Sequence, residues 1–433
     1  MNKIVVYENS YADIDDMNME IFNDLLDIGY QIKEELGLMY SPVQSVSAKK
    51  IYIGNIVGNV TLNSTNLIIY PKYVSSNGGN VNDALIKKLF TRTIRCSMEN
   101  LGSTVFFYRN NIINDQNDFF DTLAKYYLDA TLQATKKSKI CLYEERIEKV
   151  NTIKGRILVQ KQLSGPVLDE KTWCKYRRLS DNNIYNQLLG WCCKFLSGLS
   201  SNIDVKRKLL NLYREFPQQM DLLNIHSVSR IKVPRQFNEY DESVLLAKNL
   251  YLDYSSKKEK IHEGNRVCGY AINMERSFEN IVCYYSRIAA SNCACSHKSQ
   301  AARLLAYASA LGSDLSYEVR PDDLITKGTR NLVMDAKYKI ISAADKYQKK
   351  PSREDFYQMI SSCLAYDCHE AVLVYPHTSV FPQLSWETTQ KINGFNIIVR
   401  AESISLDVGD EELINQLSDI IKKTTFFKEV ANG

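Results

Sequence analysis

Arg320-Pro321-Asp322-Asp323-Leu324-Ile325 and, after a short gap, Asn331-Leu332-Val333-Met334-Asp335-Ala336-Lys337-Tyr338-Lys339 decide the fold of the C-terminal part of this chain. Side chains two apart on a strand share a face, which sets Val333, Asp335 and Lys337 on one side and Leu332 and Met334 on the other, against helices. A charged pair inside an otherwise apolar strand costs free energy to bury unless something compensates it. Lys327-Gly328 supplies a turn, so the preceding segment folds back alongside and Asp322 comes near Asp335. The expectation is a pair of strands at about 316–325 and 331–340.

Working outward, a helix carries Met274 to Ile288, another covers 353–367, strands fall at 371–375 and 395–400, and a last helix at 411–422. That order predicts an α/β (α+β) domain over 265–433, a mixed sheet flanked by helices. Two carboxylates and a lysine at a strand end match the needs of phosphodiester hydrolysis. The carboxylates of Asp322 and Asp335 hold one or two Mg²⁺ (Mn²⁺ can substitute), which polarise the phosphate and acidify an attacking water. Lys337 stabilises the anionic transition state, and the Ala336 carbonyl adds a neutral oxygen ligand. The competing reading of so short a pattern is a surface ion pair at a sheet edge.

The arrangement resembles the Pro-Asp…(Asp/Glu)-x-Lys core of the restriction-nuclease superfamily, PD-(D/E)xK. That resemblance implies an acidic residue on the helix before the first motif strand. Glu279 is the candidate, with Phe278, Ile281 and Val282 packing inward; Glu275, one turn away, is the alternative. It also implies a glutamine on the helix at 353–367, where Phe356, Ile360, Cys363 and Leu364 form the buried stripe and Gln358 falls off it. Related nucleases use such a glutamine to bond the metal-site lysine or the scissile phosphate. Tyr357 and Arg320 are candidate DNA contacts, and Tyr357 and Tyr366 fit either phosphate contact or core packing.

The front of the chain, 1–138, opens with a helical stripe of Phe22, Leu25, Ile28, Ile32 and Leu36. Two β-rich runs follow, IYIGNIVGNVTL and NLIIYPKY, joined as a hairpin by Asn63-Ser64-Thr65-Asn66; helices near 82–96 and 117–135 close the region. The middle, 139–264, reads as largely helical. Ser180 or Asp181 caps a helix striped by Ile184, Leu188, Cys192, Phe195 and Leu199. The polar stretch 254–265 marks the next boundary.

Composition narrows the function. The chain has 433 residues, 45% hydrophobic and 24% charged, with no apolar run approaching the roughly 18 residues that span a bilayer. Its acidic start lacks a signal-peptide pattern, so a cytoplasmic protein with no membrane partner is expected. The 11 cysteines are scattered, several at apolar helical positions such as Cys192 and Cys363, as expected of reduced, buried thiols. One cluster, Cys293-Ala-Cys295-Ser-His297 with Cys283 nearby, reads either as a metal site or as incidental thiols. With five histidines and none beside a nucleophile, a serine or cysteine hydrolase is a poor fit. No Gly-rich loop ends in Lys-Ser/Thr, so the chain should bind no nucleotide in that manner. The net charge of +4 is uneven: residues 1–35 hold nine Asp/Glu against two Lys, and 136–178 hold twelve Lys/Arg against five Asp/Glu. The basic stretch suits DNA phosphates or a protein partner.

RPDDLI, LVMDAKYK, DFYQM and AVLVYP, in this order and spacing, resemble the nuclease half of the McrC family. IVGNVTLNSTNLIIYPKY is similar to the family's hairpin ending in Pro-Lys. Leu142-Tyr143 through Lys154-Gly155-Arg156-Ile157-Leu158 resembles its junction, and Ser180-Asp181-Asn182-Asn183 begins the helix after it. The resemblance implies a Mg²⁺-dependent DNA endonuclease of a phage-defence restriction system. Its partner would be an McrB-like AAA+ GTPase ring that the N-terminal domain enters and stimulates, with modified double-stranded DNA recognised by that partner. The rival readings are a stand-alone nuclease of the same superfamily and a non-catalytic activator of a ring.

Overall fold

The computed structural model describes residues 2–13, 19–47, 49–63, 65–73, 83–97, 104–108, 118–164, 170–259, 268–306, 317–341, 350–379, 381–382, 384–391 and 394–424. They form two compact units, Met1–Ile113 with Gly264–Gly433, and Asn114–Glu263. This differs from three consecutive regions. The N-terminal segment and the C-terminal sheet domain share one unit, and the helix expected near 117–135 belongs to the other. No helix among the described residues is long and apolar enough to cross a membrane.

The first unit opens with β1 (Asn2–Tyr7), β2 (Ser10–Asp13) and α1 (Met19–Leu36). Then come β3 (Val43–Ser47), β4 (Lys50–Ile53), β5 (Ile56–Leu62), β6 (Thr65–Tyr70), α2 (Asp83–Cys96) and β7 (Val105–Tyr108). The expected hairpin is β5–β6, antiparallel from Leu62–Thr65 to Gly58–Ile69; Ser64 in its turn lies outside the described residues. The IYI run is a separate strand, β4, in a sheet ordered β2-β4-β3. The helical stripe holds as read: Leu25, Ile28, Ile32 and Leu36 are buried against Ile51, Ile53, Val60 and Leu67, with Phe22 at the margin. Asp24 on the same helix accepts from Asn63 Nδ2 (2.7 Å) and Thr65 Oγ1 (2.9 Å), which fastens the hairpin to α1.

The second unit contains α3 (Asp118–Lys137), then an antiparallel ribbon of β8 (Leu142–Val150) with β10 (Thr172–Ser180), edged by β9 (Arg156–Ile157). Helices follow: α4 (Val159–Leu163) within the ribbon, then α5 (Ile184–Leu199), α6 (Ile203–Arg214), α7 (Ile225–Ser229) and α8 (Asp241–Glu259). The region is therefore not helical throughout. Most of β8 alternates between half-buried and exposed positions, so no apolar period betrays the strand. The cap of α5 is Asn183, whose side chain accepts from Asn186 N, because β10 runs on through Ser180. Of the expected boundary, 254–259 are helical and 260–265 lie outside the described residues.

The chain returns to the first unit in β11 (Cys268–Asn273), which pairs with both β5 and β7 inside the sheet β1-β6-β5-β11-β7. Asn273 ends that strand and caps α9 (Met274–Asn292) by accepting from Arg276 N. After β12 (Ser296–Ser299) and the pair β13 (Arg303–Ala306) and β14 (Tyr317–Val319) come β15 (Asp323–Lys327) and β16 (Arg330–Ala336). The expected strand at 316–325 is thus two strands, and the one expected to reach 340 ends at Ala336. Beyond it the bond of Lys337 N to Val374 O at 2.8 Å continues the contact with β17. Next are α10 (Arg353–Tyr366), β17 (Glu370–Pro376), β18 (Leu384–Glu387), β19 (Ile398–Ile404) and α11 (Asp410–Lys423). The sheet is mixed, ordered β12-β15-β16-β17-β19-β18, with β16–β17 and β17–β19 parallel and the other pairs antiparallel. The centres of β16 and β17 are buried and mostly apolar on both faces, as a helix-covered sheet requires.

Candidate active site

Gly328, with φ +62°, makes the tight turn that returns β15 along β16, in a left-handed conformation that costs glycine nothing. Register then sets Asp323 opposite Met334. Asp322, one residue earlier, meets the end of β16. Its backbone N–H reaches Asp335 Oδ1 at 3.4 Å, and its own Oδ2 accepts from Ala336 N at 2.9 Å. The Lys337 ammonium touches Asp335 Oδ2. From α10, Gln358 Nε2 approaches Asp335 Oδ1 at 3.4 Å. Asp322, Asp335, Ala336, Lys337 and Gln358 are therefore joined by direct contacts. The glutamine reaches the carboxylate rather than the lysine.

Glu279 lies on α9, half-buried, while Glu275 one turn earlier is exposed. Burial, then the charge of Glu275, pushes Glu279 up to about 7, with Lys337 pulling it down and Asp335 adding to the rise. Burial also raises Asp322, reinforced by Asp335 and Glu279. In Asp335 burial outweighs the lowering by Lys337. For Lys337 burial works downward, yet Asp335 and Asp322 hold the ammonium above its ordinary value. Three carboxyl groups raised by burial, with Asp335 and Glu279 adding to the rise in Asp322, favour protons, or a cation in their place. Asp335 Oδ2 is buried without a well-aligned hydrogen bond among the described residues. The Lys337 ammonium is the cation against it, and the carboxylates of Asp322 and Asp335 with the Ala336 carbonyl, coupled through charge to Glu279, form an all-oxygen donor set whose chemistry suits a hard divalent cation such as Mg²⁺.

Two expected DNA contacts stand at the surface. Tyr357 is 64% exposed beside Gln358. Arg320 pairs with Glu318 at 2.8 Å. Tyr366 is buried, its hydroxyl donating to Ala301 O, which settles it as a packing residue. Other participants escaped the sequence reading. Gln300 donates from Nε2 to Asp322 Oδ1 (2.8 Å) and from N to Asp322 O (3.0 Å), a role that follows from the pairing of β12 with β15. Lys339 pairs with the buried Asp355 at 2.7 Å. Lys72, after the hairpin's Pro71, donates to Tyr338 O at 3.0 Å, one residue from Lys337.

A family model described as McrBC 5-methylcytosine restriction system component matches residues 51–376. The chain belongs to that family. The McrBC match begins in β4, takes in Glu279, Asp322, Asp335, Lys337 and Gln358, and stops at Pro376, the last residue of β17. Among solved structures the chain is similar to a chain of the half-complex from the tetradecameric assembly of Thermococcus gammatolerans McrB AAA+ hexamers with bound McrC. The identity is 14%, the TM-score 0.58, and the similarity covers 97% of this chain and 100% of that one. The cryo-EM structure of the Thermococcus gammatolerans McrBC complex matches at 14% identity and TM-score 0.41, over 65% of this chain and 86% of that one. No curated protein matches the chain.

Proposed function

We propose that this McrBC-family chain is the endonuclease subunit of its restriction system, hydrolysing DNA phosphodiesters with Mg²⁺ while coupled to an AAA+ GTPase ring whose hydrolysis it stimulates. The observation that carries the reading is the convergence of Asp322, Asp335 and Lys337 at the end of β16. Asp322, Asp335, Glu279 and the Ala336 carbonyl would hold Mg²⁺, which would supply Lewis acidity toward the phosphate and acidify a water. The Lys337 ammonium, kept protonated by its carboxylate neighbours, offsets the charge that builds on the phosphate oxygens. Gln358 and Gln300 fix the carboxylate planes of Asp335 and Asp322 through their amides. Tyr357 and Arg320, both exposed, would meet the DNA backbone.

The ring partner is supported by the solved assembly, in which McrB AAA+ hexamers hold bound McrC. The N-terminal segment offers exposed apolar side chains for such a contact, Tyr11, Tyr30, Met39 and Tyr40 at 59–81% exposure. Plasmid cleavage with Mg²⁺, GTP and the neighbouring AAA+ protein tests the proposal, wild type against Asp335→Asn. Cleavage should require partner and GTP, and should fall by at least about 10²-fold in the variant while GTPase stimulation persists. Undiminished cleavage by Asp335→Asn places the active site elsewhere. Cleavage without any partner favours a stand-alone nuclease. Stimulation with no cleavage by wild type favours a non-catalytic activator.

A further inference from the structure

Asp322 and Asp323 are adjacent, yet only Asp322 joins the carboxylate cluster above. Asp323 meets a different group. Cys283 from α9, His297 from β12 and Asp323 from β15 each bring one ligand atom to within 4.8 Å of the others. The antiparallel register sets His297 opposite Ile325 and Ser299 opposite Asp323, so His297 and Asp323 sit diagonally on one face of the ladder. His297 Nε2 lies 2.6 Å from Asp323 Oδ1, with the two side chains 5% and 0% exposed. Asp323 Oδ2 is buried without a well-aligned hydrogen bond among the described residues, and the Cys283 thiol is the group beside this carboxylate. A carboxylate sealed from water with only a thiol and an imidazole beside it costs free energy that a bound cation would offset.

We propose that Cys283, His297 and Asp323 form a second metal site, distinct from the Asp322, Asp335 and Glu279 carboxylates, that takes zinc(II) or a similar borderline transition cation. A thiolate, an imidazole and a carboxylate are zinc's ordinary ligands, whereas Mg²⁺ prefers oxygen alone. The sequence reading sets His297 with Cys293, Cys295 and nearby Cys283; among the described residues the structure gathers Cys283 with His297 and adds Asp323. Cys293 is the C-cap residue of α9, and Cys295 Sγ points back to Cys293 O at 3.4 Å. Binding displaces the thiol proton of Cys283 to solvent, while a neutral His297 binds through Nε2 and carries its one ring proton on Nδ1. The His297–Asp323 contact then opens by less than about 1 Å, to the ligand spacing of tetrahedral zinc. The ion ties α9, β12 and β15 together at the residue next to Asp322, so it holds in place the strand end from which Asp322 projects.

Cobalt(II) titration of the purified full-length chain in excess Mg²⁺ is the direct test. Wild type should show a thiolate-to-cobalt charge-transfer band in the near ultraviolet, saturating at one equivalent. The band should vanish in Cys283→Ser and survive in Cys295→Ser and in Asp335→Asn. Zinc should raise the melting temperature of wild type and leave that of His297→Gln unmoved. If Cys283→Ser fails to fold, the wild-type band together with its loss in His297→Gln decides. No band in wild type, a band that persists in Cys283→Ser or His297→Gln, or metal binding abolished by Asp335→Asn would each overturn the site. The first result would leave the trio a metal-free hydrogen-bonded group, and the last would assign the metal to the carboxylate cluster.

Discussion

Asp322 is a residue held against its own interest in the cation-free protein. Burial and the neighbouring charges of Asp335 and Glu279 raise its carboxyl toward the neutral form. A raised folded-state value means that stability is lost as pH climbs from the ordinary carboxylate range through that value. Asp322→Asn removes the penalty and keeps the shape. In EDTA near neutral pH the variant should melt about 2–4 °C above wild type, while cleavage is lost. Differential scanning calorimetry decides, and a drop of similar size would mean that the charge is compensated without a cation. Gln358→Ala should cost less, about tenfold in cleavage rate, because its contact with Asp335 is a long one at 3.4 Å. Asp322, Asp335 and Lys337 were legible in sequence because a period of two forces charge into an apolar strand. Gln300 was not, since its place depends on β12 pairing with β15, and no local pattern encodes pairing partners 24 to 28 positions apart, as Ser299–Asp323 and His297–Ile325 are.

The tail that follows β16 is anchored by elements from the far end of the chain. Glu8, just after β1, accepts from Lys72 N at 2.9 Å and from the Tyr338 hydroxyl, while the Lys72 ammonium sits 4.3 Å from the Tyr338 ring centroid. Burial pushes Glu8 up to about 7 against the pull of Lys72 and Tyr338. At pH values below 4.5 Glu8 is protonated in both folded and unfolded chains; between 4.5 and about 7 only the unfolded chain loses the proton. Stability should therefore fall with rising pH across that window, by an amount on the order of 3 kcal/mol from this group. Urea unfolding at pH 5 and pH 8 should show that Glu8→Gln reduces the wild-type pH dependence by roughly this amount. An unchanged difference would mean that Glu8 is already ionised in the fold. Gly58 in β5 marks another tight point, since a Cβ there would lie 2.2 Å from Tyr270 O on β11. Gly58→Ala should cost about 1–3 kcal/mol in the same assay, and a neutral result would mean that β11 can shift. The helices were legible from their stripes, as Leu25, Ile28, Ile32 and Leu36 show. The ribbon of β8 and β10 was hidden because its alternation is between wet and half-wet positions, with charged pairs such as Lys175–Glu145 in place of an apolar face.

At the scale of the whole chain, connectivity dictates what folds alone. Residues 114–263 run without interruption and hold their own core, with Leu123, Tyr127, Leu188, Cys192, Leu196, Leu209 and Leu246 fully buried. The other unit is split. Its N-terminal sheet takes β11 from beyond residue 263 into an interior position, so a 1–113 fragment leaves β5 and β7 with unpaired edges. On α2, the buried Arg92 guanidinium donates to Leu406 O and Val408 O, both at 2.8 Å, and pairs with Asp410 at 2.9 Å. Without 264–433 that cation is stranded, and without 1–113 those carbonyls are. This long-range splice explains why the sequence reading divided the chain into consecutive regions: periodicity reports elements, and nothing local tells that β11 belongs to a sheet whose first strand starts at Asn2. Expressed separately, 114–263 should be soluble and melt cooperatively, whereas 1–113 and 264–433 should each aggregate or stay unfolded by circular dichroism. Co-expressed as two chains, 1–113 and 264–433 should copurify as a folded pair. A monomeric 1–113 with a cooperative melt would show that β11 is dispensable, and the N-terminal segment would then be a domain in its own right.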